Sequence, residues 1–288
     1  MARLIDRLSA NASGDFYVDA SCIDCAVCRE VAPETFTRDD DAGASVVRRQ
    51  PATDPETLRA KMALVACPTS SIGTLSKPPL DDAIDAFPEP LGDDVYFCGF
   101  ASEHSYGAQS YLIRRREGNV LVDSPRAVPR LLDRIDELGG VRFMFLTHRD
   151  DVADHAKIAR RFGCTRVMHG RDVSPDTRDV ELKIEGDDVV SLADDLRVIP
   201  VPGHTRGSAA LLFRDLALFT GDHLFADAEG ELYAAREVCW YSWESQRRSL
   251  ARLFDFEFSW VLPGHEHRRR TASVLEMRAL VHQAHTRA

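Results

Sequence analysis

The sequence predicts a protein of mixed α and β structure that is divided into two domains. The chain has 288 residues, which is long for one domain and comfortable for two. Residues 1–75 hold a dense cysteine cluster, whereas the later residues alternate apolar strand-like runs with helical patterns. Several of the later runs end in histidine or aspartate beside a turn-forming glycine, which indicates that chemistry lies at strand ends in the second domain.

The composition disfavours several classes of function. Apolar residues make up 44% of the chain and charged residues 28%, as in ordinary globular proteins. The formal charge of -10 argues against nucleic acid or an anionic membrane as a partner. The first twenty residues carry Arg3, Asp6 and Arg7 and lack an apolar core, so we expect neither a secretory signal nor an anchor. Seven cysteines, an odd number, predict a reducing cytoplasmic location and metal or redox use.

Four cysteines of the first domain have the spacing of an iron–sulfur site. Cys22, Cys25 and Cys28 form a Cys-x-x-Cys-x-x-Cys sequence, and Cys67 follows much later, directly before a proline. Three thiolates on one loop and a fourth brought in by the fold are what an iron–sulfur cube requires. A structural zinc site is the alternative, although zinc thiolates are usually paired as two Cys-x-x-Cys knuckles.

This cysteine pattern resembles the bacterial single-cluster ferredoxins, in which a remote Cys-Pro completes the cluster. The sequence from Val31 to Phe36 fits that family as well. The resemblance implies an α+β ferredoxin-like domain over residues 1–75, and Cys25, where an aspartate would favour 3Fe-4S, implies a 4Fe-4S cluster. The acidic balance of this region suits a basic electron donor such as a ferredoxin reductase, although a solvated acidic face would look the same.

A linker and a strand-rich domain are expected after the cluster. Residues 76–94 hold four prolines and six acidic residues, which predicts a partly extended, semi-rigid linker. Gly107 and the turn at 117–119 then separate the first strands, Gly139 and Gly163 end two helices, and Ser242 caps a third. Strands are expected at 95–100, 110–114, 120–123, 143–146, 166–169, 180–184, 196–201, 209–213, 216–219 and 260–263. Helices are expected at 126–138, 156–162, after 242 and at 273–285.

The segment from Phe145 to His155 is the one around which the second domain is organised. An apolar run ends there, and polar residues that can bind metal follow at once: His148, Asp150, Asp151, Asp154 and His155. Imidazole and carboxylate groups together suit zinc or iron, and a strand end followed by a helix start holds ligands on stiff backbone. A solvated acidic loop with an N-cap aspartate is the alternative for this segment alone.

Three further motifs place a histidine or aspartate after a strand-like run. They are Pro-Gly-His204, Thr-Gly-Asp222 and Pro-Gly-His265. With the first segment they resemble the metallo-β-lactamase superfamily, whose pattern is His-x-His-x-Asp-His, then a lone His, a lone Asp and a lone His. The resemblance covers about residues 94–270 and implies an αββα four-layer sandwich over residues 95–288.

The resemblance also implies roles for individual residues. By position, the superfamily's ligands correspond to His148, Asp154, His155, His204, Asp222 and His265. Asp222 would bridge two metals, and Asp123 matches an aspartate that supports the metal loop. One departure is that five residues separate His148 from Asp154 where the superfamily has three, with no second histidine among them. Asp150 or Asp151 is the candidate replacement, which moves the metal preference from zinc toward iron or manganese and leaves a one-metal site open.

Three functions remain open at this point. The resemblance implies first a hydrolase of a small-molecule ester, lactone or amide, with one or two zinc, iron or manganese ions activating water that Asp154 or Asp222 orients. The second is a di-iron oxidoreductase or oxygenase that receives electrons from the fused cluster, since flavodiiron proteins share this fold and have a glutamate where this chain has Asp150 or Asp151. The third is a non-catalytic redox sensor.

The most aromatic run of the chain contains Trp240, Tyr241 and Trp243 and stands directly before a predicted helix. Aromatic rings in this position either wall a substrate pocket or pack at the junction between strand and helix. The sequence leaves both interpretations open.

Overall fold

The computed structural model describes residues 2–288, which fold into two compact units. Unit 1 comprises residues 2–120, Ser124–Val141 and Ala153–Phe162. Unit 2 comprises Leu121–Asp123, Arg142–Val152 and Gly163–Ala288. Each unit has its own secondary structure and core.

Six elements, helices and strands together, form the cysteine-bearing region of unit 1. Six further helices and strands of this unit follow them in the chain. The first six are β1 (Phe16–Val18), α1 (Val27–Val31), β2 (Phe36–Asp39), β3 (Ala44–Val47), α2 (Asp54–Ala66) and β4 (Ile72–Thr74). The others are α3 (Asp81–Asp85), β5 (Glu89–Gly92), β6 (Val95–Phe97), β7 (Tyr111–Ile113), α4 (Pro129–Glu137) and α5 (His155–Phe162). Strands β1 and β4 pair antiparallel, as do β2 and β3.

Helix α2 carries the remote cysteine to its place. Thr53 caps its first turn by accepting the N–H of Glu56, and a proline in the first turn favours helix geometry there. The helix ends at Cys67, which is followed by Pro68, a residue that cannot continue a helix hydrogen-bond ladder. Local sequence therefore sets the point at which the fourth thiol leaves the helix.

The segment predicted to be a linker, residues 76–94, forms regular structure in unit 1. It contains α3 and β5, and β5 pairs antiparallel with β6, which in turn pairs antiparallel with β7. Asp82 of α3 forms an ion pair with Lys61. The prolines and acidic residues of this segment thus belong to regular secondary structure and not to an extended linker.

Unit 2 contains two larger sheets and two helices. Its elements are β8 (Val120–Val122, of which Val120 belongs to unit 1), β9 (Phe143–Phe145), β10 (Thr165–His169), β11 (Leu182–Ile184), β12 (Val190–Ala193), β13 (Leu196–Pro200) and β14 (Ala209–Phe213). They continue with β15 (Ala217–Gly221), β16 (Phe225–Ala226), β17 (Leu232–Tyr233), α6 (Trp243–Arg252), β18 (Trp260–Pro263), β19 (Arg269–Arg270) and α7 (Val274–Arg287). The predicted strands and helices of this region form, with ends shifted by up to a few residues.

The strand order of unit 2 brings several strand ends together. Strands β8, β9, β10 and β11 are neighbours in that order, and β10 runs parallel to both β9 and β11. The second sheet has the order β12-β13-β14-β15-β18-β19. Within it, β15 and β18 are parallel, with Gly221 opposite Pro263. The residues that follow these two strands therefore emerge side by side.

The core of unit 2 lies between the second sheet and helices α6 and α7. Leu218 and Val261 of the sheet are fully buried against Leu250 of α6 and against Met277 and Val281 of α7. Burying a side chain of this size contributes roughly 1.5–3 kcal/mol. This packing holds the strand ends on a rigid support.

Candidate metal centre and iron–sulfur site

Six predicted metal ligands meet at the strand ends of unit 2. Strand β9 is followed by three of them, and β13, β15 and β18 are followed by one each. The six residues are His148, Asp150, Asp151, His204, Asp222 and His265. The parallel pairing of β15 with β18 explains why Asp222 and His265 are adjacent.

Asp222 lies at the middle of the group. Its Oδ2 atom is 3.9 Å from Nε2 of His148, 3.7 Å from Nε2 of His204 and 3.6 Å from Nε2 of His265. One carboxylate oxygen thus faces three imidazole nitrogens that come from separate strand ends. This is the arrangement expected of a ligand shared by two metals.

Both aspartates of the unusual insertion enter the group. Asp150 Oδ2 is 3.5 Å from His204 Nε2 and 4.0 Å from His148 Nε2. Asp151 Oδ2 is 3.9 Å from His148 Nε2, and its Oδ1 is 3.9 Å from His265 Nε2. Two donor sets result, one of His148, Asp150 and His204 and one of His148, Asp151 and Asp222. The sequence left open which aspartate joins the site, and the structure brings in both.

The donor atoms fit divalent metal. Among residues 2–288, Nε2 of His148, Nε2 of His204, Oδ2 of Asp151 and Oδ1 of Asp222 are buried and accept or donate no hydrogen bond. Each such atom without a partner costs roughly 1–3 kcal/mol, so their convergence fits the binding of a divalent cation. A Cβ atom on Gly264 would lie 2.8 Å from Asp222 Oδ1 and 3.0 Å from Asp151 Oδ2, so only glycine leaves this space open.

The electrostatics of the site lead to the same conclusion. Burial raises the pKa of Asp151 well above its ordinary value, and the neighbouring carboxylates of Asp222 and Asp123 raise it further. Burial also acts to raise the pKa of Asp222, but His265, His148 and His204 outweigh it and lower that pKa. Burial lowers the pKa of His148 to about 4, so its imidazole is neutral near pH 7. The neutral imidazole of His148 is the form that binds metal, and a cation between the crowded buried carboxylates would stabilise their ionised form.

Asp123 orients the first histidine through Thr147. Asp123 Oδ1 accepts the N–H of Thr147 at 2.8 Å, and the Thr147 hydroxyl lies 3.0 Å from both Asp123 oxygens. The same hydroxyl lies 3.0 Å from Nδ1 of His148, which turns Nε2 toward the donor group. Burial raises the pKa of Asp123 to about 8. The supporting role that the resemblance implied for Asp123 thus has a definite set of contacts.

Asp172 is a supporting residue that the sequence did not reveal. Its carboxylate accepts the Thr205 hydroxyl, the N–H of Gly207 at 2.6 Å and the N–H of Arg149 at 3.1 Å. It therefore ties the loop that carries His204 to the loop that carries His148. The sequence could have indicated Asp172, because it is an acidic residue shortly after the end of β10, and the predicted metal ligands also follow strand ends.

Asp154 and His155 belong to unit 1 and are in neither donor set found among residues 2–288. The Asp154 carboxylate accepts the N–H of Ala127 at 2.9 Å and pairs with Lys157 at 2.6 Å. His155 is buried and begins α5. The two aspartates that precede them, Asp150 and Asp151, enter the donor sets instead.

The aromatic run divides into two parts. Trp240 and Tyr241 are exposed by 62% and 51%, and both backbone N–H groups donate to the carbonyl oxygen of His204, at 2.9 and 3.0 Å. Trp243 instead donates its indole N–H to the carbonyl oxygen of Ala288 at 3.1 Å. The first two rings are thus available beside the metal site, while the third is used in packing.

The four predicted cluster cysteines line one small cavity of unit 1. Burial raises the pKa of Cys25 well above its ordinary value and that of Cys28 to about 12. A Cβ atom on Gly107 would lie 2.8 Å from the Cys25 sulfur, so this backbone closes tightly over the thiol. Four converging thiols fit an iron–sulfur cube, whose irons would hold them as thiolates. Cys98, Cys164 and Cys239 do not line this cavity.

Comparisons with known proteins agree with both sites. Residues 18–74 match the family model of the 4Fe-4S single cluster domain of Ferredoxin I, which confirms the 4Fe-4S cofactor. Residues 92–257 match the model of the metallo-β-lactamase superfamily. No helix of residues 2–288 is both long and apolar enough to cross a bilayer.

Two curated relatives and one solved structure illustrate the similarity. A hydroxyacylglutathione hydrolase of Rhodopseudomonas palustris is 29% identical over 51% of this chain and 56% of its own length. One of Cereibacter sphaeroides is 38% identical over 42% and 49%. The chain thus spans about half the length of the curated relatives that it matches. The metallo-β-lactamase FIM-1 of Pseudomonas aeruginosa in its mono-zinc form is 15% identical, with a TM-score of 0.52 over 69% of this chain and 93% of that chain.

The structural similarity confirms the predicted αββα fold, and the family model covers more than half of the sequence. Together with the donor group at the strand ends, these findings identify the protein superfamily. The chain belongs to the metallo-β-lactamase superfamily and carries a ferredoxin-type 4Fe-4S domain.

Proposed function

We propose that the protein is a metal-dependent hydrolase that cleaves acyl thioesters, with related esters and lactones as weaker substrates. The observation that carries the proposal is the central position of Asp222, one of whose oxygens lies within 3.6–3.9 Å of three imidazole nitrogens. The names of the curated relatives, which are hydroxyacylglutathione hydrolases, suggest the thioester class.

The donor group divides naturally between two divalent metals. His148, Asp150 and His204 would hold one, Asp151 and His265 would hold the other, and Asp222 would contact both. Bound metal would supply water activation and polarisation of the acyl carbonyl. The rest of the chemistry falls to the protein, which must position the acyl group and move one proton.

Asp150 is the residue best placed to move that proton, because Oδ2 faces the two histidines of the donor set and leaves Oδ1 for the proton. Its side chain is 46% exposed, whereas those of Asp151 and Asp222 are 2% and 11% exposed. A carboxylate at the open side of the site reaches both an attacking water and a leaving thiolate, which a buried one does not. Asp222, which with Asp154 was the sequence's candidate for orienting the water, is enclosed by histidines and would orient the water instead of exchanging protons with solvent.

The test compares variants on a panel of acyl thioesters, lactones and simple esters. We expect Asp222→Asn to lower kcat/KM by at least about 100-fold and to lower the metal content as well, because it removes the shared ligand. Asp176→Asn is the matched control, since Asp176 is exposed and lies in the same unit. Wild-type activity in Asp222→Asn, or no hydrolysis of any substrate by metal-loaded protein, would contradict the proposal.

A second candidate function is a di-iron oxidoreductase fed by the fused cluster. It is favoured by the two extra carboxylates, Asp150 and Asp151, because oxygen-rich sites prefer iron or manganese over zinc. The variant Cys25→Ala separates the candidates. Hydrolysis draws no electrons and should survive the change, whereas reductant-dependent oxygen uptake should be lost. Metal and sulfide analysis of anaerobically purified protein complements this test, because zinc beside four irons supports hydrolysis.

A further inference from the structure

A cavity of unit 2 has four arginines in its lining. It has a volume of about 340 Å³ and lies where helix α6 faces the loops that follow β10 and β13. Its charged lining residues are Arg171, Arg206, Arg248, Arg252 and Asp187. Four guanidinium groups against one carboxylate form a strongly positive cavity in a chain whose formal charge is -10. Such a reversal of charge is typical of a site for an anion.

In the part of the chain that the structure describes, two of the four arginines have a carboxylate partner and two do not. Arg171 pairs with Asp187, the one carboxylate of the lining. Arg252 donates to the neutral carbonyl oxygen of Pro200 at 3.2 Å, and Arg248 pairs with Glu244, which lies outside the lining. Among residues 2–288, no carboxylate forms an ion pair with Arg206, which is exposed. The cavity therefore presents the guanidinium of Arg206 without a carboxylate partner among the described residues. Arg252 has only a neutral partner, and the carboxylate partner of Arg248 lies outside the lining.

The cavity is joined to the metal site by two short segments. The loop after β13 carries His204, whose ring faces Asp222, and Arg206, which lines the cavity two residues later. The backbone N–H groups of Trp240 and Tyr241 both bond to the carbonyl oxygen of His204. Tyr241 lines the cavity, and the ring of Trp240 lies 6.3 Å from the ring of His204. The metal site and the arginine cavity therefore share the loop from His204 to Arg206 and the aromatic run that bonds to it.

We propose that the arginine cavity binds the anionic end of the substrate's carrier group while the acyl thioester lies at the metal centre. This inference rests on the proposed hydrolase function and names its substrate class. The shared chemistry is a multiply charged anion: the phosphates of a coenzyme A-type carrier or the carboxylates of a glutathione-type carrier. Guanidinium groups bind both with paired charge-assisted hydrogen bonds.

Binding is measured first, by isothermal titration calorimetry of the full-length protein with free coenzyme A, glutathione and inorganic pyrophosphate. We expect at least one carrier to bind, and more weakly at higher salt. Arg206→Gln should weaken binding about tenfold, and the double change Arg206→Gln and Arg248→Gln more strongly, because each removes a charge-assisted contact. Arg247→Gln is the matched control, since Arg247 is exposed on the same helix and does not line the cavity. It should stay within about twofold of wild type.

The outcomes identify the source of the anion and separate the two proposals. Competition between coenzyme A and pyrophosphate assigns phosphates, and binding of glutathione alone assigns carboxylates. In turnover, Arg206→Gln should raise KM with kcat nearly unchanged, because the contact is made equally before and during the reaction. If neither carrier binds, or if Arg247→Gln weakens binding as much as Arg206→Gln, the cavity proposal is wrong, even where thioester hydrolysis is observed. Arginine-dependent binding without hydrolysis of any thioester would instead overturn only the proposed function.

Discussion

Replacing Asp172 by asparagine should loosen the metal centre although Asp172 is not a ligand. The Asp172 side chain is buried, and its two oxygens accept three hydrogen bonds. Oδ1 accepts the N–H of Gly207, while Oδ2 accepts the N–H of Arg149 and the hydroxyl of Thr205. Asparagine has the same shape but replaces one oxygen by an NH2 donor. Either orientation of that amide places the donor against one of the two backbone N–H groups.

The size of the destabilisation follows from the number of backbone N–H groups that lose their acceptor. A backbone N–H that faces another donor loses its hydrogen bond, at a cost of about 1–3 kcal/mol, so Asp172→Asn should lower the free energy of unfolding by that amount. In Asp172→Ala the Thr205 hydroxyl can turn to Ser208 Oγ, 2.7 Å away, but both backbone N–H groups lose their acceptor. We therefore expect about 2–6 kcal/mol for alanine. Because the affected loops carry His148 and His204, metal affinity should fall about 10–100-fold.

The assay is denaturant unfolding with and without metal, together with a metal titration against a competing chelator. The exposed neighbour Asp176 provides the control, since Asp176→Asn removes a charge from the same segment and should change stability by less than about 0.5 kcal/mol. Equal metal affinity and equal stability in Asp172→Asn and Asp176→Asn would refute the reasoning. It would mean that the two ligand loops keep their positions without this carboxylate.

Three other predictions concern the two metal sites. Cys67→Ser should weaken the brown colour of the cluster and its bleaching by dithionite. Cys98 lies outside the cavity, so Cys98→Ser should leave the visible spectrum unchanged. Full cluster content in Cys67→Ser would mean that another residue is the fourth ligand. Asp150→Ala and Asp151→Ala should each lower bound metal by elemental analysis, since both aspartates lie in the donor sets, and a silent change would remove that residue from the site. Chelation should lower the thermal midpoint, reversing about 2.7 kcal/mol of stabilisation at metal concentrations 100-fold above Kd, and an unchanged midpoint would argue against metal binding at the buried carboxylates.

The iron–sulfur site and the strand ends were readable from local sequence. The spacing of Cys22, Cys25 and Cys28 places three thiols on one loop. Cys67 is recognisable because a proline, Pro68, follows it and ends the helix. His204, Asp222 and His265 each follow an apolar run and a glycine, a pattern that indicates a strand end without knowledge of the fold. These features depend on neighbouring residues only, and for that reason the sequence by itself determined them.

The tertiary structure alone decided which acidic residues face the metals. Helix α5 begins only at His155, so Asp150 and Asp151 lie in the loop before it, and no local pattern predicts that start to one residue. Asp172 and the arginine cavity were equally hidden, because they join segments that are far apart in sequence. Their partners are chosen by how β10, β13 and α6 pack, which is a property of the folded chain and not of any single motif.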